Sequence, residues 1–215
     1  MAGQDLRLTP RLLLSGYAQG IFPMALSQDD AELHWFDPPR RGVLPLDGFH
    51  ASRSLARRVR RGRWRAVLNG DFAATVDACA ARDETWINAP LRSLYLDLHA
   101  IGHAHSIEVW DGDSVVGAAF GVSLGGAFFG ESMVSMATDG SKAALWWLTH
   151  HLARCGFGLL DTQYLTPHLA SLGGIEVPRA AYHRLLAEAL PRPADLRLHP
   201  LTPPYEMRQR ITHTS

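Results

Sequence analysis

His103-Ala-His-Ser-Ile-Glu-Val-Trp110, Asp111-Gly112-Asp113, Ser114-Val-Val-Gly-Ala-Ala-Phe-Gly-Val-Ser-Leu124, Gly125-Gly126 and Ala127-Phe-Phe-Gly-Glu-Ser-Met133 follow one another without a break. Three β-rich runs separated by two glycine-bearing turns predict a three-stranded antiparallel meander. Ser141 to Arg154 then reads as a helix ended by Gly156, and Phe157 to Asp161 as a further strand. Asp161 and Gln163 stand two apart at the end of this apolar run, so a strand would put them on one face. A buried edge that presents a carboxylate beside an amide reads as a site rather than as surface.

Working outward, Thr9-Pro10 starts a helix well, with a hydroxyl at the cap and proline in the first turn, and Gly20 ends it. Ile21 to Pro45 holds Trp35, Phe36 and five prolines or glycines. It predicts loops and short strands, and residues 1–45 are read as a small N-terminal unit ahead of a main domain over 46–215. In that domain Phe49 to Arg61 is predicted helical and Arg65 to Leu68 a strand. Asp71 caps a helix through Arg82, Trp86-Ile87 makes a short extended piece, and Pro90 to Ile101 forms a helix stopped by Gly102. Thr166-Pro167 opens a short helix, and Pro178 to Leu190 forms the last long one. This order describes an α/β chain of the α+β kind, a mixed sheet flanked by helices. It matches the GNAT acyltransferase-like topology better than a doubly wound sheet, which is an analogy of fold and not of chemistry.

Composition narrows the function classes. The 21 basic and 21 acidic residues cancel, which argues against a uniformly basic protein while allowing a local patch. Two cysteines, Cys79 and Cys155, lie in apolar helical contexts and read as reduced buried thiols. No apolar run approaches a membrane span, and no signal peptide is evident. A cytoplasmic enzyme is the expectation.

Three groups of residues carry possible chemistry. Gly48 to Gly70 holds seven arginines and no acidic residue. Arg53, Arg57, Arg60 and Arg61 share one helical face opposite Leu55 and Val59. Such a face binds phosphates, or is simply a solvated face of an arginine-rich chain. Glu131 sits inside an apolar strand, where an unpaired carboxylate is costly. A structural partner such as an arginine is the commoner outcome for it. Asp161 ends its strand where burial would suit it to act as a base, or it caps the following turn. Gln163 offers a donor and an acceptor together. Trp86, Ala119, Phe128, Met133 and Leu148 suggest an apolar pocket, though core packing explains each alone. No set of histidines and cysteines has metal-ligand spacing, and no glycine-rich pyrophosphate loop follows a strand.

At these residues the chain resembles the leucyl/phenylalanyl-tRNA–protein transferase family. The matching segments are Gly20-Ile-Phe-Pro23, Ser52-Arg-Ser54, Thr85-Trp-Ile87, Gly102-His-Ala-His-Ser-Ile-Glu-Val-Trp110, Gly130-Glu-Ser-Met133, Ser141-Lys142, Asp161 with Gln163, and His168 to Gly173. The resemblance implies transfer of leucine or phenylalanine, and also methionine, from charged tRNA to a protein's N-terminal arginine or lysine, marking it for degradation by the N-end rule. It implies a GNAT-like catalytic part, no metal and no cofactor, because an aminoacyl ester is already activated. It gives Asp161 and Gln163 the part of orienting and deprotonating the acceptor amine, and Glu131 that of positioning substrates. Trp86, Ala119, Phe128, Met133 and Leu148 would line the aminoacyl pocket, with Met24 where the family often has tryptophan. Arg53, Arg57, Arg60 and Arg61 would bind tRNA. A monomer without membrane contact is expected.

Overall fold

The computed structural model describes residues 8–25, 30, 32–83 and 85–207. Parts of the expected N-terminal unit (1–7, 26–29 and 31) and the end of the main domain (208–215) lie outside the described residues. In chain order the strands are β1 (Phe22–Met24), β2 (His34–Phe36), β3 (Arg40–Val43), β4 (Trp64–Leu68), β5 (Ala104–Asp111), β6 (Ser114–Leu124), β7 (Ala127–Ser135), β8 (Leu159–Gln163) and β9 (Ile175–Pro178). The helices are α1 (Pro10–Ala18), α2 (Arg53–Arg60), α3 (Phe72–Ala80), α4 (Ala89–Ala100), α5 (Gly140–Arg154), α6 (Pro167–Ser171) and α7 (Arg179–Ala189).

Strands β1 and β2 pair in a small antiparallel sheet, and the other seven form one sheet in the order β4-β5-β6-β7-β8-β3-β9. The meander predicted over 103–133 is its centre: β5, β6 and β7 pair antiparallel, with Asp111 opposite Ser114 and Leu124 opposite Ala127. Gly112 (φ 60°) and Gly125 (φ 54°) supply the left-handed turn residues. Helix α5 carries the chain over the sheet to β8, which therefore runs parallel to β7. The sheet is the mixed, helix-flanked one expected.

Each strand of the meander alternates between two cores. Ile107, Val109, Ala119 and Phe128 face α2 and α5, packing with Leu55, Val59, Leu148 and Leu152. Phe120, Val122 and Phe129 face α1, α3, α4 and α7, among Tyr17, Val76, Tyr95 and Tyr182. Adjacent residues such as Phe128 and Phe129 thus serve opposite layers, as a period of two requires. Helix α5 crosses β6 at backbone distance. A Cβ on Gly117 would stand 2.2 Å from the Gly140 carbonyl carbon, and one on Gly140 would stand 1.8 Å from the Val116 oxygen.

Helix starts follow their caps. Thr9, Ser52, Asp71, Asn88 and Thr166 each accept a backbone N–H two or three residues into the turn. Helix α2 accordingly starts after Ser52, not at Phe49, whose ring instead stacks on Trp146 at 6.1 Å. The Trp86-Ile87 piece pairs with no strand; the Ile87 N–H is taken by the Thr85 hydroxyl. Strand β9 was not predicted. It ends at Pro178, and its extended path is imposed by β3, which pairs with it from Arg40 to Val43. Strand β3 enters the large sheet between β8 and β9.

Gly117→Ala should destabilise the protein by about 3 kcal/mol, because two backbones must separate. Gly112→Ala, with nothing within 4 Å of its Cβ, should cost only the left-handed turn strain, about 1 kcal/mol. Urea unfolding of the two variants checks the difference.

Candidate active site

Strand β8 carries Asp161 into the sheet between β7 and β3, where its exposure is 0%. Water cannot solvate it there, so protein donors must. Arg41 Nε donates to Oδ1 at 2.9 Å, and Arg41 Nη2 donates to Oδ2 at 2.6 Å. The Tyr182 hydroxyl donates to Oδ2 at 2.7 Å and the Gln163 backbone N–H to Oδ1 at 2.8 Å. Arg41 is itself only 1% exposed. Its guanidinium lies between the rings of Phe22 and Tyr182, 4.4 Å from each centroid, and its Nη1 donates to the Gly20 oxygen at 3.0 Å. Burial is the largest influence on Arg41 and disfavours its cation, but the hydrogen bonds to Asp161 and the charges of Asp161 and its neighbours together outweigh it and raise the pKa.

Gln163 ends β8 with φ 63°, in the left-handed region. A non-glycine residue held there marks a site where surrounding contacts dictate the backbone. Here the dictating contact is its N–H on Asp161. The turn brings the Gln163 side chain to Glu131 on β7, with Nε2 donating to Oε1 at 3.4 Å. Glu131 is 4% exposed and also accepts from the hydroxyls of Tyr17 at 2.6 Å and Tyr95 at 2.7 Å. The arginine partner expected for Glu131 is therefore absent from its hydrogen bonds, and two tyrosines take that place. The arginine goes to Asp161. Burial pushes the Glu131 carboxyl up to about 7, against the lowering effect of those hydrogen bonds. Burial first, and then the Glu131 charge, push the Tyr17 hydroxyl up.

Glu131 and Gln163 form part of the wall of a cavity of about 550 Å³, a size that suits a small-molecule group. Its wall is largely apolar, with Leu145, Leu148, Leu160 and Leu169 beside Ala119 and Met133. Trp86 and Met24 also line it, while Phe128 does not. Phe128 is fully buried under the sheet against Phe157. Asp161 does not reach the cavity either. Trp86 Nε1 and Thr162 Oγ1, on wall residues, are buried and have no protein partner. Such atoms beside a cavity are available to a ligand.

Several contributors were missed in the sequence. Leu145 had a signal, one helical turn before Leu148. Arg41, Tyr17, Tyr95 and Tyr182 had none, because they reach the site across 120, 114, 36 and 21 residues of chain. The motif residues His105, Ser106 and Glu108 serve another place, the turn between β4 and α3. His105 pairs with Asn69 and with the Gly102 oxygen, and burial lowers its pKa to about 4. Glu108 accepts the Gly70 N–H at 2.7 Å. Arg53, Arg57 and Arg60 on α2, and Arg61 at its C-terminal cap, are all exposed. Among the described residues no three histidine, cysteine or carboxylate side chains group as metal ligands, and no helix is long and apolar enough to cross a membrane.

The mixed sheet with its parallel β7–β8 pair is a GNAT-like fold, and the cavity lies beside that pair. The crystal structure of FemX shares the fold, with a TM-score of 0.50 at 11% identity over 77% of this chain and 66% of that one. The family model described as leucyl/phenylalanyl-tRNA protein transferase matches residues 43–187, and the model of its N-terminal domain matches 7–39. A leucyl/phenylalanyl-tRNA–protein transferase of Cereibacter sphaeroides is 61% identical over 97% of this chain and 98% of its own length. That of Paracoccus denitrificans is 54% identical over 97% and 98%. The chain belongs to the leucyl/phenylalanyl-tRNA–protein transferase family, and it is an aminoacyltransferase.

Two stability measurements follow from this geometry. Arg41→Met leaves Asp161 buried without its ion-pair partner and should cost about 3–5 kcal/mol. Arg40→Met, one residue earlier, breaks an exposed pair with Glu176 and should cost less than about 1 kcal/mol. Glu131 holds its proton more tightly folded (about 7) than unfolded (4.5). Its contribution is full below pH 4.5 and is lost as the pH rises through about 7. His105, at about 4 against an ordinary 6.5, works in the opposite sense, its contribution being lost as the pH falls. Urea titrations of wild type and Glu131→Gln across this range should therefore differ only by the Glu131 share, with the wild type losing stability relative to the variant as pH rises.

Proposed function

We propose that the enzyme moves leucine, phenylalanine or methionine from aminoacyl-tRNA to the α-amine of an N-terminal arginine or lysine, tagging the acceptor protein for N-end rule degradation. The observation that carries the reading is the convergence of Glu131 and Gln163 on the wall of an otherwise apolar cavity. Trp86, Ala119, Met133 and Leu148, with Met24 at one edge, would take the aminoacyl side chain. Arg53, Arg57, Arg60 and Arg61 would hold tRNA phosphates by charge-assisted hydrogen bonds. The protein would act as a monomer in the cytoplasm, with no cofactor.

The amine nitrogen attacks the ester carbonyl carbon. A C–N bond forms, and the C–O bond to the terminal ribose breaks. A free α-amine titrates at about 7.7–8.0, so the acceptor first gives up one proton. Glu131, near 7, is matched to that transfer. The second proton passes from the attacking nitrogen to the departing ribose oxygen. Gln163 can accept a hydrogen bond from the amine and donate one toward the carbonyl, fixing the line of attack. The resemblance gives Asp161 a share in the relay. Four donors already surround its two oxygens, so we assign it a positioning part: it holds the Gln163 backbone turn.

Transfer of radiolabelled leucine, phenylalanine and methionine from charged tRNA to peptides beginning with Arg, Lys, Asp or Ala tests the reading. Transfer to Arg and Lys peptides alone is expected. Glu131→Gln and Gln163→Ala should each lower turnover by about a hundredfold, with tRNA affinity little changed. Transfer to Asp peptides would overturn the acceptor assignment, and no transfer to any peptide would overturn the reaction.

A further inference from the structure

A row of four residues, Arg58, Asp139, Lys142 and His168, runs from α2 to the cavity wall. Arg58 falls outside the Arg53, Arg57, Arg60 and Arg61 set. Its guanidinium lies 5.4 Å from the centre of the Trp64 ring, and its Nε lies 3.8 Å from Asp139 Oδ2. The other oxygen of Asp139 accepts from Lys142 Nζ at 2.9 Å. Lys142 is the only lysine in the chain. Ser141, the residue before Lys142, lines the cavity, as does His168, whose imidazole pKa is lowered first by burial and then by the Lys142 charge.

Asp139 is the keystone of this row. It takes φ 69°, a left-handed conformation rare for residues other than glycine. It makes no side-chain cap to α5, whose Ser141 N–H is instead accepted by Ser135 Oγ. Its side chain is 12% exposed, whereas Lys142 and Arg58 are 38% and 45% exposed. One nearly buried carboxylate therefore holds two outward cations and leaves a net positive charge. That charge bridges an RNA-binding face and the site where the ester must sit.

We propose that Lys142, braced with Arg58 through Asp139, binds a backbone phosphate of the tRNA's single-stranded 3′ end and steers the terminal aminoacyl nucleoside into the cavity past His168. The ligand class is a phosphodiester next to an aminoacylated nucleoside. A compact ammonium with rotating donors suits such a point contact. The inference rests on the reading of charged tRNA as donor.

Cytidylyl-puromycin carries one phosphodiester beside an aminoacyl-nucleoside analogue, and its methylphosphonate counterpart is neutral at that linkage. Both are assayed as inhibitors of leucine transfer from intact charged tRNA. The wild type should prefer the phosphodiester by about tenfold. Lys142→Met should bind the two alike, and Lys142→Arg should restore the preference. If Lys142→Met does not fold, Lys142→Gln, which still reaches Asp139, makes the same comparison. A wild type that transfers leucine yet shows no preference, or a neutral variant that keeps it, overturns the phosphate contact alone. A wild type that transfers nothing overturns the donor reading and this proposal with it.

Discussion

A carboxylate without access to water needs its charge answered within the protein, and at Asp161 the answer comes from Arg41. That ion pair ties β3 and β8 to α7 and to the segment around Gly20 and Phe22. Arg41 comes from β3, near the start of the chain. It is gripped by the Gly20 carbonyl and the Phe22 ring on one side and by Tyr182 of α7 on the other. Its guanidinium fork meets the carboxylate in two parallel hydrogen bonds, the geometry a lysine could not reproduce. Desolvation makes such a pair a modest source of net stability. Its value lies in specification, since both charges are buried and each is answered only where β3, β8 and α7 come together.

The geometry around Glu131 depends on that specification. With Asp161 fixed, the Gln163 N–H has one place to go, and the left-handed turn at the end of β8 follows. The turn sends the Gln163 amide to Glu131. Tyrosines from α1 and α4 close the other side. Neutral hydroxyls cost less to bury than an arginine and leave the carboxyl free to rise toward neutrality. Two buried carboxylates of similar burial thus receive different partners. The cation-paired one is a strut, and the hydroxyl-bonded one faces the cavity with its carboxyl pushed up to about 7.

Charge and apolar volume are likewise kept apart. Exposed arginines lie along α2, and the apolar cavity lies between β7, β8 and α5. Glycine makes the close packing of α5 possible. Only the absence of a Cβ at Gly117 and Gly140 lets α5 lie close enough to the sheet for Leu145 and Leu148 to wall the cavity. Met24 and Trp86 reach the cavity from a short strand and a loop outside the large sheet, so its wall is shared by the N-terminal segment.

Local pattern determined much of this in advance. Alternation and glycine turns fix the meander, hydroxyl and carboxyl caps fix the helix starts, and the order of elements fixes the mixed, helix-flanked sheet. Family motifs single out Glu131, Asp161 and Gln163. These signals are short-range, and each is written within a dozen residues of where it acts. Tertiary structure alone decided what those residues do to one another. The polar string from His105 to Glu108, part of a matching family segment, braces a turn, while Phe128 proved to be core. Arg41 and the three tyrosines meet their carboxylates only because distant segments are folded together. The need to satisfy a buried charge is strict, but the sequence does not say which of 21 bases or five tyrosines will satisfy it; that depends on which side chains the packed sheet and helices bring within hydrogen-bonding distance.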